Sequence, residues 1–295
     1  MNTEQTIPSA RLRIVVLIKQ VPDTTAISRR AMKADGTLNR SALPAIFNPE
    51  DLSALELALR VREQMGGSIC AMTMGPPAAA EILRESLYRG VDRAVLLTDK
   101  AFAGSDTLAT SYVLSCAIKT IGGADLILCG RQAIDGNTAQ VGPQVAEKLG
   151  INQLTYVERI EALTEQEITV WREIEQGREL ATSRLPVLLT VVPTAARVRP
   201  PSVRLIMKYK KARAPAELHD PSRAEALDRR GLLIEEWNAA RIGADPSRCG
   251  LAGSPTRVKK IQSVVLTGAG LKRFSADAAG VRSLLEELIA TYAFD

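Results

Sequence analysis

The feature that most constrains the fold of this chain is a regular alternation of short apolar runs with helix-forming segments across residues 11–150. The apolar runs cover residues 11–21, 68–74, 93–98 and 126–129, and each has the length of a strand. A strand that is apolar at nearly every position is typically covered on both faces. This alternation predicts an α/β fold, with an open, mostly parallel sheet, helices on both faces and right-handed crossovers.

The first predicted helix has a defined start and end. Asn48 is a good N-cap, Pro49 suits the first helical position, and the carboxylates of Glu50 and Asp51 complement the helix dipole. The apolar face of this helix continues to Gly66-Gly67. The helical segments that follow the next strands are also closed by glycines, which is typical of helix ends.

The fourth repeat, residues 125–150, carries a loop of polar and small residues between its strand and its helix. The strand signal ends at Gly130, and a helix is predicted from near Thr138 to Gly150. A strand, a glycine-containing loop and a helix start present unpaired backbone N–H groups to an anion, usually a phosphate. The loop lacks both the lysine of a P-loop and the dinucleotide glycine spacing, so by itself it predicts an anion site of unspecified ligand.

The pattern changes after Gly150. Residues 166–172 and 185–192 are predicted strands, whereas residues 196–214 are basic and rich in turn-forming residues. An amphipathic helix is predicted over 276–292, with Ser275 as its N-cap.

These changes predict a main α/β domain over residues 1–195 and a recognition loop and extended arm over residues 196–295. The arm has too little apolar surface to fold alone, so we expect it to wrap a partner or the main domain. Within the main domain, residues 23–46 are expected to form a turn or a short hairpin.

Composition argues against several classes of function. Aromatic residues are 4% of the chain, too few for a stacking platform that binds single-stranded nucleic acid. A net charge of +5 is small for 295 residues, and a solvated basic face explains it without nucleic acid. No apolar run is long enough to span a membrane and no signal segment opens the chain, so a cytoplasmic location is expected.

Cysteine and histidine give no sign of a metal site. Cys70, Cys116, Cys129 and Cys249 lie far apart without ligand spacing, and His219 is the single histidine. Cys129 is interpreted as a packing residue, as is Met74. No nucleophile–base pair is evident, so neither a catalytic residue nor a metal is predicted.

Six motifs follow one another in the order that characterises one protein family. They are Val15–Asp23, Asn48–Asp51, Met74–Pro77, Phe102–Thr107, Cys129–Gly150 and Leu205–Lys211. Over nearly its whole length the chain resembles the beta subunit of an electron transfer flavoprotein, and in particular the electron-bifurcating group.

This resemblance implies an adenine nucleotide-binding, Rossmann-like fold and a heterodimer with an alpha subunit that carries a mobile redox FAD. In most respiratory members the beta subunit holds a structural AMP, whereas in the electron-bifurcating group it holds a second FAD. The chain would then be an electron carrier, with oxidoreductase activity only alongside the alpha subunit and a partner dehydrogenase. The same resemblance implies an acyl-CoA dehydrogenase-type partner and, where bifurcation occurs, NADH and ferredoxin.

The resemblance also implies a set of cofactor-binding residues at strand ends and helix starts, where an α/β sheet usually binds its ligand. These residues are Leu17, Asn48, Pro49, Glu50, Asp51 and Met74, followed by Gly130, Arg131, Gln132, Ala133, Ile134, Asp135, Gly136, Asn137, Thr138, Ala139, Gln140 and Val141. The phosphates are expected against the backbone N–H groups of residues 135–139, with the Thr138 hydroxyl as a further donor.

Residues 99–111 favour FAD over AMP, because this segment resembles the bifurcating group. It places Asp106, Thr107 and Thr110 at one helix start, with the two threonines on the same helical face. Their hydroxyls are expected to hydrogen-bond the isoalloxazine edge or the ribityl chain, and the alternative interpretation is that they only cap the helix. The tail segment 253–260 resembles the same group.

Residues 199–211 correspond to the family's recognition loop for acyl-CoA dehydrogenases. The residues implied in partner recognition are Val203, Leu205, Ile206, Met207 and Lys208. Pro200 and Val203 stand where an aromatic residue and a leucine are usual, and Arg204-Leu205 replaces a smaller pair, so the identity of the partner stays open. Without the resemblance, the lysines at 208–211 would be interpreted as a solvated face.

Two alternatives to a flavin-binding subunit stay open. The first is a non-bifurcating beta subunit with structural AMP. The second, from another class, is an ATP-using enzyme or nucleotide sensor on the same fold. The missing phosphate-gripping lysine and the lack of an evident pair of metal-binding carboxylates argue against this second alternative.

Overall fold

A sheet of nine strands flanked by helices forms the centre of the protein and confirms the predicted α/β class. The computed structural model describes residues 12–23, 43–218, 220, 222–256 and 272–290. Most of the predicted hairpin within 23–46, His219 and the last part of the segment 253–260 lie outside the described residues.

The strands and helices alternate along most of the described chain. The strands are β1 (Arg13–Leu17), β2 (Gln20–Pro22), β3 (Ala45–Phe47), β4 (Ser68–Met74), β5 (Arg93–Leu97), β6 (Leu126–Gly130), β7 (Asn152–Leu163), β8 (Glu167–Ile174), β9 (Gly177–Arg184), β10 (Val187–Val191) and β11 (Glu235–Trp237). The helices are α1 (Pro49–Met65), α2 (Ala80–Arg89), α3 (Thr107–Thr120), α4 (Val141–Leu149), α5 (Val203–Tyr209), α6 (Arg223–Asp228) and α7 (Ala278–Ala290).

The main sheet is mostly parallel, as predicted. Its strand order is β11-β5-β4-β1-β6-β10-β7-β8-β9. The pairs β7–β8 and β8–β9 are antiparallel, whereas the other neighbouring strands of this sheet run parallel. The short strands β2 and β3 form a separate antiparallel ribbon.

Helices cover both faces of this sheet. Successive side chains of a strand point to opposite sides, so neighbouring residues of one strand pack against different helices. In β1, Ile14 and Val16 belong to a buried cluster that includes the apolar residues of α1 and α2. Val15 and Leu17 belong to a second cluster, which includes those of α3 and α4. The continuous apolar runs in the sequence are thus explained by burial on two sides.

Three predicted boundaries were wrong, each for a local reason. The run 11–21 is divided between β1 and β2, because the chain leaves the main sheet at Ile18 and Lys19. The helix predicted from Thr138 begins at Val141, since Asn137 and Ala139 have φ angles of 51° and 52°, which a right-handed helix excludes.

The third correction concerns the N-cap of the last helix. Ser275 does not cap α7. The Asp277 Oδ1 atom accepts from the Gly280 N–H group at 2.8 Å, and the Ser275 hydroxyl donates to the same oxygen at 2.9 Å. Asp277 therefore caps the first turn of this helix.

Part of the predicted arm packs on the main sheet. β11 pairs with β5 and extends one edge of the sheet, and Ala214, Ile234 and Trp237 are buried. Neither β11 nor α5 was predicted, because β11 is short and partly charged and α5 contains no buried side chain. The proposed division near residue 195 stays a prediction.

No helix among the described residues combines the length and the apolar character that crossing a membrane would require.

Candidate functional site

A cavity of about 350 Å³ opens at the carboxyl edge of the parallel strands. It lies where the strand order reverses, between β1 and β6. From β1 the chain crosses through α1 to β4 on one side of β1, whereas β6 is the neighbour of β1 on its other side. Such a switch point leaves a crevice between two strand ends, where open α/β sheets bind ligands. Leu17 of β1, Met74 of β4 and Gly130 of β6 line the cavity.

Most of the predicted cofactor residues contribute to the wall of this cavity. Those that line it are Leu17, Asp51, Met74, Asp106, Thr107, Thr110, Gly130, Arg131, Gln132, Ala133, Gly136, Asn137, Thr138, Ala139, Gln140 and Val141. The other predicted residues, Asn48, Pro49, Glu50, Ile134 and Asp135, are not among its lining residues.

Asn48 does not act as the predicted cap of α1. It stands at the N-cap position of α1, but its side chain makes no capping hydrogen bond, so that prediction was wrong. Its amide donates to the Gln132 carbonyl at 2.9 Å and accepts from the Ile134 N–H group at 3.2 Å. Because Asn48 is fully buried, these bonds hold the loop after β6 against the start of α1.

Glu50 holds the same loop from its other side. One oxygen of this buried carboxylate accepts from the Gln132 N–H group at 3.0 Å, and the other accepts from Arg131 Nη2 at 2.9 Å. The sequence suggested a favourable interaction of Glu50 with the helix dipole, and the structure adds these two tertiary bonds.

Asp51 joins the ends of the two strands at the switch point. Its oxygens accept from the Lys19 and Gly130 N–H groups, each at 2.8 Å. Burial raises the pKa of Asp51 to about 7, although hydrogen bonds from Gly130, Asn48 and Lys19 act in the opposite direction. A Cβ atom at position 130 would lie 2.6 Å from Asp51 Oδ1, so this close approach requires glycine there.

The loop before α4 forms a small concave run of backbone groups. Asn137 and Ala139 both have positive φ, which is uncommon outside glycine and is often found at functional sites. The Gly136 and Asn137 N–H groups donate to the Ala133 carbonyl, whereas the N–H groups of residues 138–141 donate to no atom of the described residues. Backbone N–H groups in such a turn at a helix start are suited to bind an anion.

The start of α3 forms the opposite wall of the cavity. Asp106 caps this helix, since its Oδ1 atom accepts from the Leu108 and Ala109 N–H groups at 2.9 and 3.0 Å. Its Oδ2 atom accepts from the Thr256 hydroxyl at 2.6 Å, which holds the segment before residue 257 against the same wall. The Thr107 hydroxyl donates to Gln140 Oε1 at 2.9 Å and so links the two walls.

The cations on the cavity wall are paired with carboxylates. Lys19 Nζ donates to both oxygens of Asp135, at 2.7 and 2.8 Å. Arg131 is paired with Glu50 and also lies over the Tyr156 ring at 5.5 Å. The wall therefore offers an anion mainly backbone N–H and hydroxyl groups.

Six lining residues were missed from the sequence: Ile18, Lys19, Ser105, Leu114, Cys129 and Gly142. Five of them lie within two positions of a predicted residue in the chain, so extending each predicted segment by one or two positions would have included them. Leu114 follows Thr110 by one helical turn on the same face of α3, a spacing that the sequence already shows.

The residues predicted to recognise a partner lie elsewhere. Val203, Leu205, Ile206, Met207 and Lys208 belong to α5, which packs beside α2 and contributes nothing to the cavity lining. The side chains of Val203 and Met207 are 75% and 61% exposed. Among the described residues, no cluster of three or more His, Cys, Asp and Glu residues is placed to hold a metal ion.

The family described as "Electron transfer flavoprotein domain" matches residues 35–221. Protein FixA of Bradyrhizobium diazoefficiens is 43% identical over 254 residues, covering 84% of this chain and 81% of the relative. The caffeyl-CoA reductase-Etf complex subunit CarD of Acetobacterium woodii is 41% identical over 263 residues, covering 88% and 90%. The electron transfer flavoprotein subunit beta of Megasphaera elsdenii is 39% identical over 289 residues, covering 95% and 98%.

Proposed function

The chain belongs to the electron transfer flavoprotein family, as a beta-type subunit, and on this basis we propose that it binds FAD in the cavity at the switch point. In this role it passes electrons between NADH or a dehydrogenase and the FAD of an alpha subunit, with flavin-based bifurcation as the most specific form of the proposal. When bound, FAD supplies one-electron and two-electron redox chemistry. The residues of this chain bind and orient it.

The observation that carries the choice of FAD is the extent of the cavity wall. The backbone N–H groups of residues 138–141 suit the phosphates of either AMP or FAD. The wall continues beyond them to the start of α3, where Thr107, Thr110 and Leu114 line the cavity. These hydroxyls and this apolar side chain offer contacts to a longer ligand, which supports FAD over AMP.

Counting the nucleotides released from the purified heterodimer tests this choice. We expect two FAD molecules per heterodimer, one from each subunit. One FAD and one AMP per heterodimer would refute the proposal in favour of the structural-AMP type of subunit.

The contribution of α3 can be tested by replacing Thr107 and Thr110 together with valine. Valine keeps the shape of threonine but removes its hydrogen bonds, so we expect reduced flavin retention in a folded heterodimer. Thr120→Val, at the other end of α3, is the matched control and should retain flavin as the wild type does. Equal flavin content in the double variant and the control would contradict the proposed contacts.

An ATP-using enzyme on the same fold is the alternative from another class. Two ion pairs argue against this alternative. The cations Lys19 and Arg131 on the cavity wall are already paired with Asp135 and Glu50, so neither is an unpaired cation for the phosphates of ATP. ATP hydrolysis or adenylation by the isolated chain, lost on Asp135→Ala, would overturn the flavin proposal.

Bifurcation has its own test. NADH-dependent reduction of ferredoxin by the heterodimer together with an acyl-CoA dehydrogenase would support it. If electrons from NADH reach the dehydrogenase substrate while ferredoxin stays oxidised, the bifurcating form of the proposal is refuted.

A further inference from the structure

Helix α5 depends on its flanking segments for its position. It has seven residues, and none of their side chains is buried. So short a helix is not stable by itself. It contacts the rest of the protein through Leu205, which lies near Gly90. The N–H group of Ser202, the residue before α5, donates to the Tyr88 carbonyl at 2.9 Å.

The segment before α5 is held to α1 by Arg199. The guanidinium donates to Glu56 at 2.8 and 3.1 Å, and it also donates to both oxygens of Glu63. The Arg199 N–H group adds a bond to Glu56 at 3.2 Å. Glu56 is 4% exposed, and Arg60 donates to it at 3.0 Å. Burial raises the pKa of Glu56, but the hydrogen bonds from Arg199 and Arg60 outweigh it and hold that pKa below its usual range.

The segment after α5 is held to α2 by Arg84. This buried guanidinium donates to both oxygens of Glu217 at 2.8 Å, to Glu81 at 2.5 Å and to the Ala212 carbonyl at 3.3 Å. Glu217 also accepts from the Ala214 N–H group at 2.8 Å. We call these two groups of ion pairs the Arg199 clamp and the Arg84 clamp.

Between the two clamps, α5 presents a small apolar surface beside several cations. Val203 and Met207 are one helical turn apart and strongly exposed. The exposed cations nearby are Arg204, Lys208, Lys210 and Lys211. None of these four forms an ion pair with a carboxylate of the described part of the chain. Such a surface is complementary to an apolar recess bordered by carboxylates.

We propose that Arg199 and Arg84 are positioning residues for partner docking, because their clamps hold α5 in the orientation that meets an apolar, acid-rimmed recess on a partner dehydrogenase. This inference rests on the proposed function, together with the role in partner recognition that the family resemblance implies for the residues of α5. Holding a docking element before association reduces the ordering cost of binding. Neither clamp contributes a residue to the lining of the cavity.

The experiment compares variants of each clamp in the purified heterodimer, with butyryl-CoA dehydrogenase as the probe partner. Arg199→Lys keeps the charge but cannot bridge two carboxylates with a planar fork. Glu63→Gln weakens the same clamp at an exposed position, and Glu217→Gln weakens the Arg84 clamp without removing a buried arginine. Arg178→Lys is the matched control. It changes an arginine of β9 that pairs with Glu158 of β7 and belongs to neither clamp.

Electron transfer from the substrate-reduced dehydrogenase to the heterodimer is followed by flavin absorbance at increasing dehydrogenase concentration. We expect the KM for the dehydrogenase to rise roughly fivefold to tenfold in the clamp variants, with kcat and flavin content within about twofold of the wild type. The control should match the wild type in all three quantities.

A pair of direct variants separates failure of the inference from failure of the proposed function. Val203→Asp with Met207→Asp should raise the KM if α5 docks the dehydrogenase at all. No effect of this double variant, or no transfer by the wild type, refutes the docking role and the inference with it. If the double variant has a raised KM and every clamp variant has a normal KM, the positioning role of the clamps is refuted, whereas the docking role of α5 stands. Parallel loss of kcat or flavin in folded clamp variants would show general structural damage and would also refute them.

Discussion

At the scale of single residues, the floor of the cavity depends on Asp51 and Gly130. The Asp51 carboxylate accepts one N–H group from the end of β1 and one from the end of β6, and so closes the gap between two neighbouring strands. Gly130 permits this approach, because any Cβ atom there would overlap the carboxylate. The resemblance implies that Asp51 contacts a cofactor, which stays a prediction. The structure adds its two backbone partners, Lys19 and Gly130, which are distant from it in the sequence.

The stability of the protein should depend on pH through Asp51. Since burial raises its pKa from 3.8 to about 7, the folded protein holds a proton that the unfolded chain releases between these values. The wild type therefore loses stability as the pH rises through this window, and an Asp51→Asn variant lacks this titration. We expect the thermal midpoint of Asp51→Asn to lie further below that of the wild type at pH 5 than at pH 8. A difference that stays constant across this range would contradict the raised pKa.

At the scale of elements, the approach of α4 to the sheet shapes the loop that precedes it. A Cβ atom on Gly142 would lie 2.8 Å from Thr190 Cγ2 and 2.9 Å from Cys129 Sγ. Glycine in the first turn therefore allows α4 to lie directly on β6 and β10. This contact positions the run of N–H groups at residues 138–141 on the cavity wall.

Replacing Gly142 with alanine should push α4 away from the sheet. Overpacking of this kind typically costs about 1–3 kcal/mol, so we expect a lower free energy of unfolding and weaker nucleotide retention. Both can be measured by denaturant titration and by nucleotide release. Adding Thr190→Ser removes the Cγ2 atom but keeps the hydroxyl that accepts from the Tyr156 N–H group, so it should restore part of both losses. No recovery in the double variant would show that the contact with Thr190 is not the cause.

Across the whole molecule, the chain after residue 196 packs on the main sheet in one part and exposes apolar side chains in another. Its first part adds β11 to the sheet and holds α5 through the two clamps. Helix α7 instead exposes an apolar stripe. The exposed residues of this stripe are Val281, Leu284, Leu285 and Ile289. Exposed apolar stripes of this kind usually mark an interface, and the alpha subunit is the partner that membership of the family implies.

Charging this stripe should weaken assembly of the heterodimer. We expect Leu285→Asp to reduce the affinity for the alpha subunit by roughly tenfold or more, because it buries an unpaired charge in an apolar contact. Analytical ultracentrifugation at a series of concentrations measures this change. Ser283→Asp places the same charge on the opposite face of α7 and is the matched control. Equal affinity of both variants would exclude the stripe as part of the interface.

The strands predicted from the sequence match the observed ones best where both faces of a strand are buried. Strands β1, β4, β5 and β6 were predicted, because helices cover them on both faces and most of their positions are buried and apolar. β7 and β9 were not predicted, since half or more of the residues in each are exposed and their sequences lack a clear strand pattern. The short helix α5 was missed for the same reason, as it has no buried face.

The α/β class, the order of the first strands and helices, and the segments that meet at the cavity could all be predicted before the structure was known. These properties follow from periodicity and from motifs that are local in the chain. The contacts of Asn48, Asp51 and Gly142, and the way in which Arg199 and Arg84 hold α5, could be seen in the folded protein alone. Their partners are distant in sequence, and such contacts arise only when the folded sheet brings strand ends, loops and helices together.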